Sequence, residues 1–183
     1  MKEIQVSELN ENMIERIGKE WMLVTSGDKD SFNTMTASWG GIGFIWRKPV
    51  AVTVVRDSRL THQFIERTHR FTLAFFDGDY RKQLSTLGTK SGRDMDKMHD
   101  SGLTPYELPS GAMTFKEAWL TLECEVLYKD EIKEANFLDK SIPEKFYTPD
   151  QGGYHTAYIG EIKHAYKNRT SIFDASITVE LKH

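Results

Sequence analysis

Residues 33–61, NTMTASWGGIGFIWRKPVAVTVVRDSRLT, hold the pattern from which the fold is read. Within them Pro49 to Arg56 is a strand: Val50, Val52 and Val54 fall on one face, Ala51, Thr53 and Val55 on the other. The strand stops abruptly in Arg56-Asp57-Ser58-Arg59-Leu60-Thr61. Two arginines and two hydroxyls within six residues at a strand end suit a phosphate monoester. Upstream, Thr34, Thr36 and Ser38 surround Met35 and Trp39 ahead of the pair Gly40-Gly41. That half suits a flat, polar-edged ring lying against backbone amides.

Outward from this stretch the chain alternates short apolar runs with turns. Trp21 to Ser26 is a strand closed by Gly27-Asp28, and Phe32 to Trp39 returns beside it as a hairpin. A helix is predicted from Ser58 as N-cap, with Leu60, Phe64 and Ile65 inward. Phe71 to Phe76 is a strand, and YRKQLSTLG after it is a helix stopped by Gly88. Ser91 to Gly102 is a charged loop or a single helix turn. Ala118 to Tyr128 alternates, Leu120, Leu122, Cys124 and Val126 facing one way and Thr121, Glu123 and Glu125 the other, a buried thiol flanked by outward carboxylates. Residues 130–154 form an irregular excursion, His155 to Tyr166 a strand, and Ile177, Val179 and Leu181 mark one more. Six to eight strands with a few short helices make this a mainly β protein, a barrel with helical decoration.

Bulk properties bound the function. At 183 residues the chain is read as one domain, 1–183, with a sizeable core. A formal charge of −3, from 24 Lys and Arg against 27 Asp and Glu, argues against a nucleic-acid partner. One cysteine, Cys124, excludes an intrachain disulfide, and the histidines lack metal-type spacing, so no metal is expected. The acidic N-terminus has no signal-peptide core, and no apolar run reaches the roughly 20 residues of a membrane helix. A soluble, cytoplasmic protein without a membrane partner is expected.

A phosphate end and a flat-ring end within one stretch suggest a flavin nucleotide. NTMTASWGG, VRDSRLTHQFI, LGTKSGRDMDK, SGLTP, WLTLECEV and HTAYIGEI then occur in the order found in flavin reductase-like proteins of the flavoredoxin group. The chain resembles that family from about Trp21 to Ile162. The resemblance implies an FMN-binding split β-barrel, a homodimer with flavin near the subunit interface, and NADH or NADPH as electron donor. The N-terminal segment and residues 130–154 are the parts expected to wrap a neighbour.

Carried over by motif, Met35, Thr36, Ala37 and Ser38 match the segment that holds the isoalloxazine edge, and Trp39 flanks the ring. Arg56, Ser58, Arg59 and Thr61 match the phosphate end, and Ser91 and Lys97 fall in a loop whose lysine lies close to the flavin. His155 occupies the place of a histidine near the nicotinamide or flavin, the one residue given a catalytic role. The family's Gly-Asp-His triplet is here Gly153-Tyr154-His155, which weakens the pyridine-nucleotide role of the segment. On the residues alone, Arg56 and Arg59 read equally as solvated strand-end charges, Trp39 as a core residue, Lys97 as a surface lysine, and His155 as a strand-start or core histidine.

No acid/base pair or nucleophile triad is visible, as suits a protein whose cofactor supplies the reactivity. Two functions follow: an NAD(P)H-dependent flavin reductase, or an electron carrier that holds FMN and serves a redox protein partner. A flavin-free structural or haem-binding barrel and a pyridoxamine-phosphate oxidase are the weaker alternatives.

Overall fold

Alternation of apolar and polar side chains shapes the computed structural model, which describes residues 1–89 and 101–168. Its strands are Lys2–Ile4 (β1), Met22–Asp28 (β2), Ser31–Ala37 (β3), Gly40–Ile45 (β4), Lys48–Arg56 (β5), Arg70–Phe75 (β6), Pro105–Glu107 (β7), Met113–Phe115 (β8), Leu120–Glu131 (β9) and His155–Lys167 (β10). The α-helices are Met13–Glu15 (α1), Leu60–Thr68 (α2), Arg81–Thr89 (α3) and Ser141–Phe146 (α4). All pairings are antiparallel, in the order β3-β2-β6-β9-β10-β5-β4, with β1 added to β10 and a separate hairpin β7-β8. The two ends of that path, β3 and β4, do not pair with each other, so the barrel is split.

The period of two sorts side chains onto two faces. Met22, Val24, Ala51, Val55, Phe71, Leu73, Phe75, Leu122 and Tyr158 fill the interior, joined by Ile65 from α2. Leu23 and Ala74, pointing the other way, pack under Leu84 and Leu87 of α3. Gly88 lies inside α3 instead of ending it. A Cβ there would sit 3.1 Å from Thr36 Cβ, so the glycine lets the helix approach β3 closely.

The structure corrects or extends other expectations. The N-terminal segment forms β1 on β10 of its own chain. Gly40–Ile45 and Lys48–Arg56 form a hairpin that the sequence conceals. Its two-residue turn uses Trp46 and Arg47, both left-handed at φ 53° and 58°, where Asn-Gly is the usual signal. Glu123 is buried beside buried Cys124. The β7-β8 hairpin covers that face: Thr114 bonds Thr121, and Thr72, the cross-strand neighbour of Glu123, donates to the Met113 carbonyl. Residues 177–181 lie outside the described residues.

Helix α2 starts without a cap of its own, Arg59 occupying the N-cap position with no side-chain bond, so Ser58 is not the cap. Asn33 of β3 supplies one. Its amide oxygen, oriented to satisfy both neighbours, accepts from the Thr61 N–H at 3.2 Å and the Thr61 hydroxyl at 2.6 Å. Asn33→Ala leaves a buried N–H unpaired. We expect a stability loss of about 1–3 kcal/mol, read as a lower denaturant midpoint at unchanged slope; a loss below about 0.5 kcal/mol would show that the helix start does not depend on Asn33.

Candidate functional site

In the β5-β10 register His155 lies opposite Arg56 and Thr156 opposite Val55. Directly paired residues share a face, so Arg56 and His155 project together and Thr156 projects the opposite way. After Arg56 the chain turns tightly, the Arg59 N–H donating to the Arg56 carbonyl at 2.9 Å.

A cavity of 190 Å³ opens where the end of β3 meets this corner. Met35, Thr36, Ala37, Ser38 and Trp39 line it from one side, Val54, Arg56, Arg59 and His155 from the other. Among the described residues this lining holds two guanidinium groups and no carboxylate. Arg59 is half-buried, and its pKa is lowered first by burial and then by the charge of Arg56. Among the described residues no hydrogen bond or ion pair engages its guanidinium group.

Other predicted residues are engaged elsewhere. Thr61 is fully buried and bonded to Asn33, Ser58 donates to the Gly152 carbonyl at 2.9 Å, and neither lines the cavity. The Thr36 hydroxyl donates to the Leu84 carbonyl in α3, which leaves Thr36 its backbone to offer. Trp39 is 39% exposed and so is not a core residue. Ser91 and Lys97 lie outside the described residues.

Residues that sequence reasoning passed over form a strap above the cavity. Arg56 donates to the carbonyls of Phe146 (2.9 Å) and Gly153, so one of the two cations also anchors backbone. Phe146 meets the Trp39 ring edge-on with centroids 5.4 Å apart. Tyr147 stacks on Tyr154 at 4.5 Å, and its hydroxyl lies 3.0 Å from His155 Nδ1. Gly152, at φ 82°, lets the strap pass Ser58, whose Oγ would be 2.9 Å from any Cβ. The irregular stretch of small and aromatic residues was the one signal of this strap.

A second cluster sits behind the corner, on the other face of the sheet. Thr156 Oγ1 donates to Asp57 Oδ1 at 2.9 Å, and His62 Nε2 lies 3.2 Å from that hydroxyl and 3.3 Å from the same carboxylate oxygen. Tyr158, buried beside His62, donates to Glu66, which Lys129 pairs from outside. Among the described residues no group of His, Cys, Asp and Glu is placed to hold a metal ion, and no helix is long and apolar enough to cross a membrane.

Comparisons with known proteins agree with this architecture. Similar solved structures include a flavoredoxin of Desulfovibrio vulgaris (Miyazaki F), 24% identical, with TM-score 0.62 over 81% of this chain and 69% of that one. An FMN-binding protein from Thermus thermophilus is 17% identical, with TM-score 0.64 over 92% and 83%. A flavoredoxin from Methanosarcina acetivorans is 21% identical, with TM-score 0.62 over 91% and 77%. At these identities the likeness concerns the fold. A comparison with curated proteins gives no match. Residues 14–174, which contain the cavity, the strap and the barrel strands β2 to β10, match the flavin reductase like domain, and the chain therefore belongs to the flavin reductase-like family.

Proposed function

We propose that the chain binds FMN in the 190 Å³ cavity and passes reducing equivalents through it, with NADH or NADPH as donor. The observation that carries this reading is Arg59: a half-buried cation with a second guanidinium beside it and, among the described residues, no carboxylate on the cavity wall. A cation drawn out of water without an anion is unfavourable, and a phosphate with paired acceptors offsets that penalty.

The ring end fits as well. β3 terminates the hydrogen-bonded path, so alternate backbone N–H and C=O groups of Met35 to Ser38 point away from β2 and suit the polar edge of a flat heterocycle. Trp39, braced by Phe146 and His155, provides an aromatic wall. Bound flavin would supply hydride acceptance and one-electron transfer. The chain's own residues orient the phosphate, present the ring-edge hydrogen bonds and screen the cavity from water.

His155 takes a restricted role. Burial, then the neighbouring Arg56 charge, pushes its pKa down to about 4, so at neutral pH it is an uncharged hydrogen-bonding wall, not a cationic acid. A carrier that accepts NADH and NADPH poorly is the second reading. Tyr154 occupies the family's aspartate position and is stacked against Tyr147, so this stretch is filled by aromatic packing. We further propose a homodimer. Phe44, Ile45 and Trp46 at the tip of β4-β5, with Tyr128 near Trp46, are exposed apolar side chains of the kind a second copy covers.

Three measurements test these readings. Arg59→Ala should weaken FMN about tenfold or more and leave riboflavin nearly unchanged, whereas Arg56→Ala, which also frees the strap, should weaken both; equal losses for Arg59→Ala would remove the phosphate assignment. Steady-state oxidation of NADH and NADPH should rise with added FMN, and no turnover with either donor selects the carrier. For His155, the unfolded side chain near 6.5 binds its proton before the folded one near 4. Stability is therefore full above pH 6.5 and falls as pH drops from 6.5 to 4. His155→Gln should flatten that part of the denaturation profile, and an unchanged profile would show that His155 does not titrate in this environment.

A further inference from the structure

We propose that Thr156 is a positioning residue that keeps Asp57 turned away from Arg56 and Arg59, so that the cavity stays cationic toward phosphate. The inference rests on the FMN reading above and deepens it. The turn from Arg56 to Arg59 places a carboxylate between two guanidinium groups in sequence. Left to itself, Asp57 is the nearest intramolecular competitor for the ligand's phosphate, since a carboxylate meets arginine in the same forked geometry.

The structure shows that competition prevented. Asp57 makes no ion pair with either arginine and is held on the reverse face by the Thr156 hydroxyl. An ionised carboxylate cannot donate, so the Thr156 proton goes to Asp57 and the hydroxyl oxygen is left to accept from His62 Nε2. His62 Nε2 also lies 3.3 Å from the same Asp57 oxygen, on that side of the carboxylate. Thr156 is 5% exposed and stands in register with Val55, one step from the His155–Arg56 pair, so strand alternation alone places its hydroxyl opposite the cavity. Asp57 remains half-exposed, free to rotate toward the arginines once the tether is lost.

The test measures FMN and riboflavin affinities by fluorescence titration for the full chain and three variants. Thr156→Val keeps the β-branched shape of the strand and removes the donor. It should lower the FMN-to-riboflavin affinity ratio about tenfold, the scale of one charge-assisted contact. Adding Asp57→Asn to that variant should restore the ratio, while Asp57→Asn alone should change it by no more than about twofold. Rescue separates release of a competing charge from simple loss of packing, which a second substitution would not repair. An unchanged ratio in Thr156→Val, or a double variant as impaired as the single one, overturns the proposal while leaving the FMN site standing. A wild-type protein that binds riboflavin as tightly as FMN overturns both.

Discussion

The antiparallel register of β5 against β10 is the constraint on which the remainder depends. It sets residue 56 opposite residue 155 and residue 55 opposite residue 156. Because side chains alternate along a strand, this one alignment assigns Arg56 and His155 to the cavity and Thr156 to the back. A slip by a single residue would exchange the two sets, sending Arg56 into the barrel end and Thr156 to the cavity side. The apolar pattern opposes the slip, since Ala51, Thr53 and Val55 are fully buried while Val52, Val54 and Arg56 are not. Core packing and site chemistry are thus fixed by the same pairing.

The arginines and the carboxylates at this corner lie on opposite sides. The cavity side holds Arg56, Arg59 and a neutral imidazole; the reverse side holds Asp57 with His62, and Glu66 with Lys129 and Tyr158. Burial alone would favour mutual neutralisation of Asp57 and the arginines. Instead Asp57 accepts from Thr156 and Arg56 donates to strap carbonyls, the arrangement we propose holds the opposite charges apart. Such separation leaves a positive field at the cavity among the described residues.

Much of this was legible in the sequence where local pattern suffices. The valine alternation of β5, the β2-β3 hairpin and the apolar runs of β6, β9 and β10 follow from periodicity, and motif order brought Met35 to Trp39, Arg56, Arg59 and His155 to one cavity. What escaped depends on contacts remote in the chain. Thr61 resembles a phosphate ligand until Asn33, 28 residues earlier, claims its hydroxyl. Arg56 looks like a free strand-end cation until carbonyls 90 and 97 residues later accept from it. The β4-β5 turn gave no signal because Trp46 and Arg47 adopt left-handed conformations without glycine or asparagine. Gly88 reads as a helix stop by propensity, whereas close packing on Thr36 requires it inside the helix.

The strap bears unequally on the cavity along its length. Its hydrogen bonds to Arg56 and Ser58 fall between Phe146 and Gly153, while Leu138, Asp139 and Lys140 just ahead of it are open to water, Leu138 at 99% exposure. Insertions, deletions and charge changes at residues 138–140 are therefore free to accumulate without disturbing the cavity. Over evolutionary time that lead-in is where related chains can diversify the face they present to other molecules, while the anchored half stays the same.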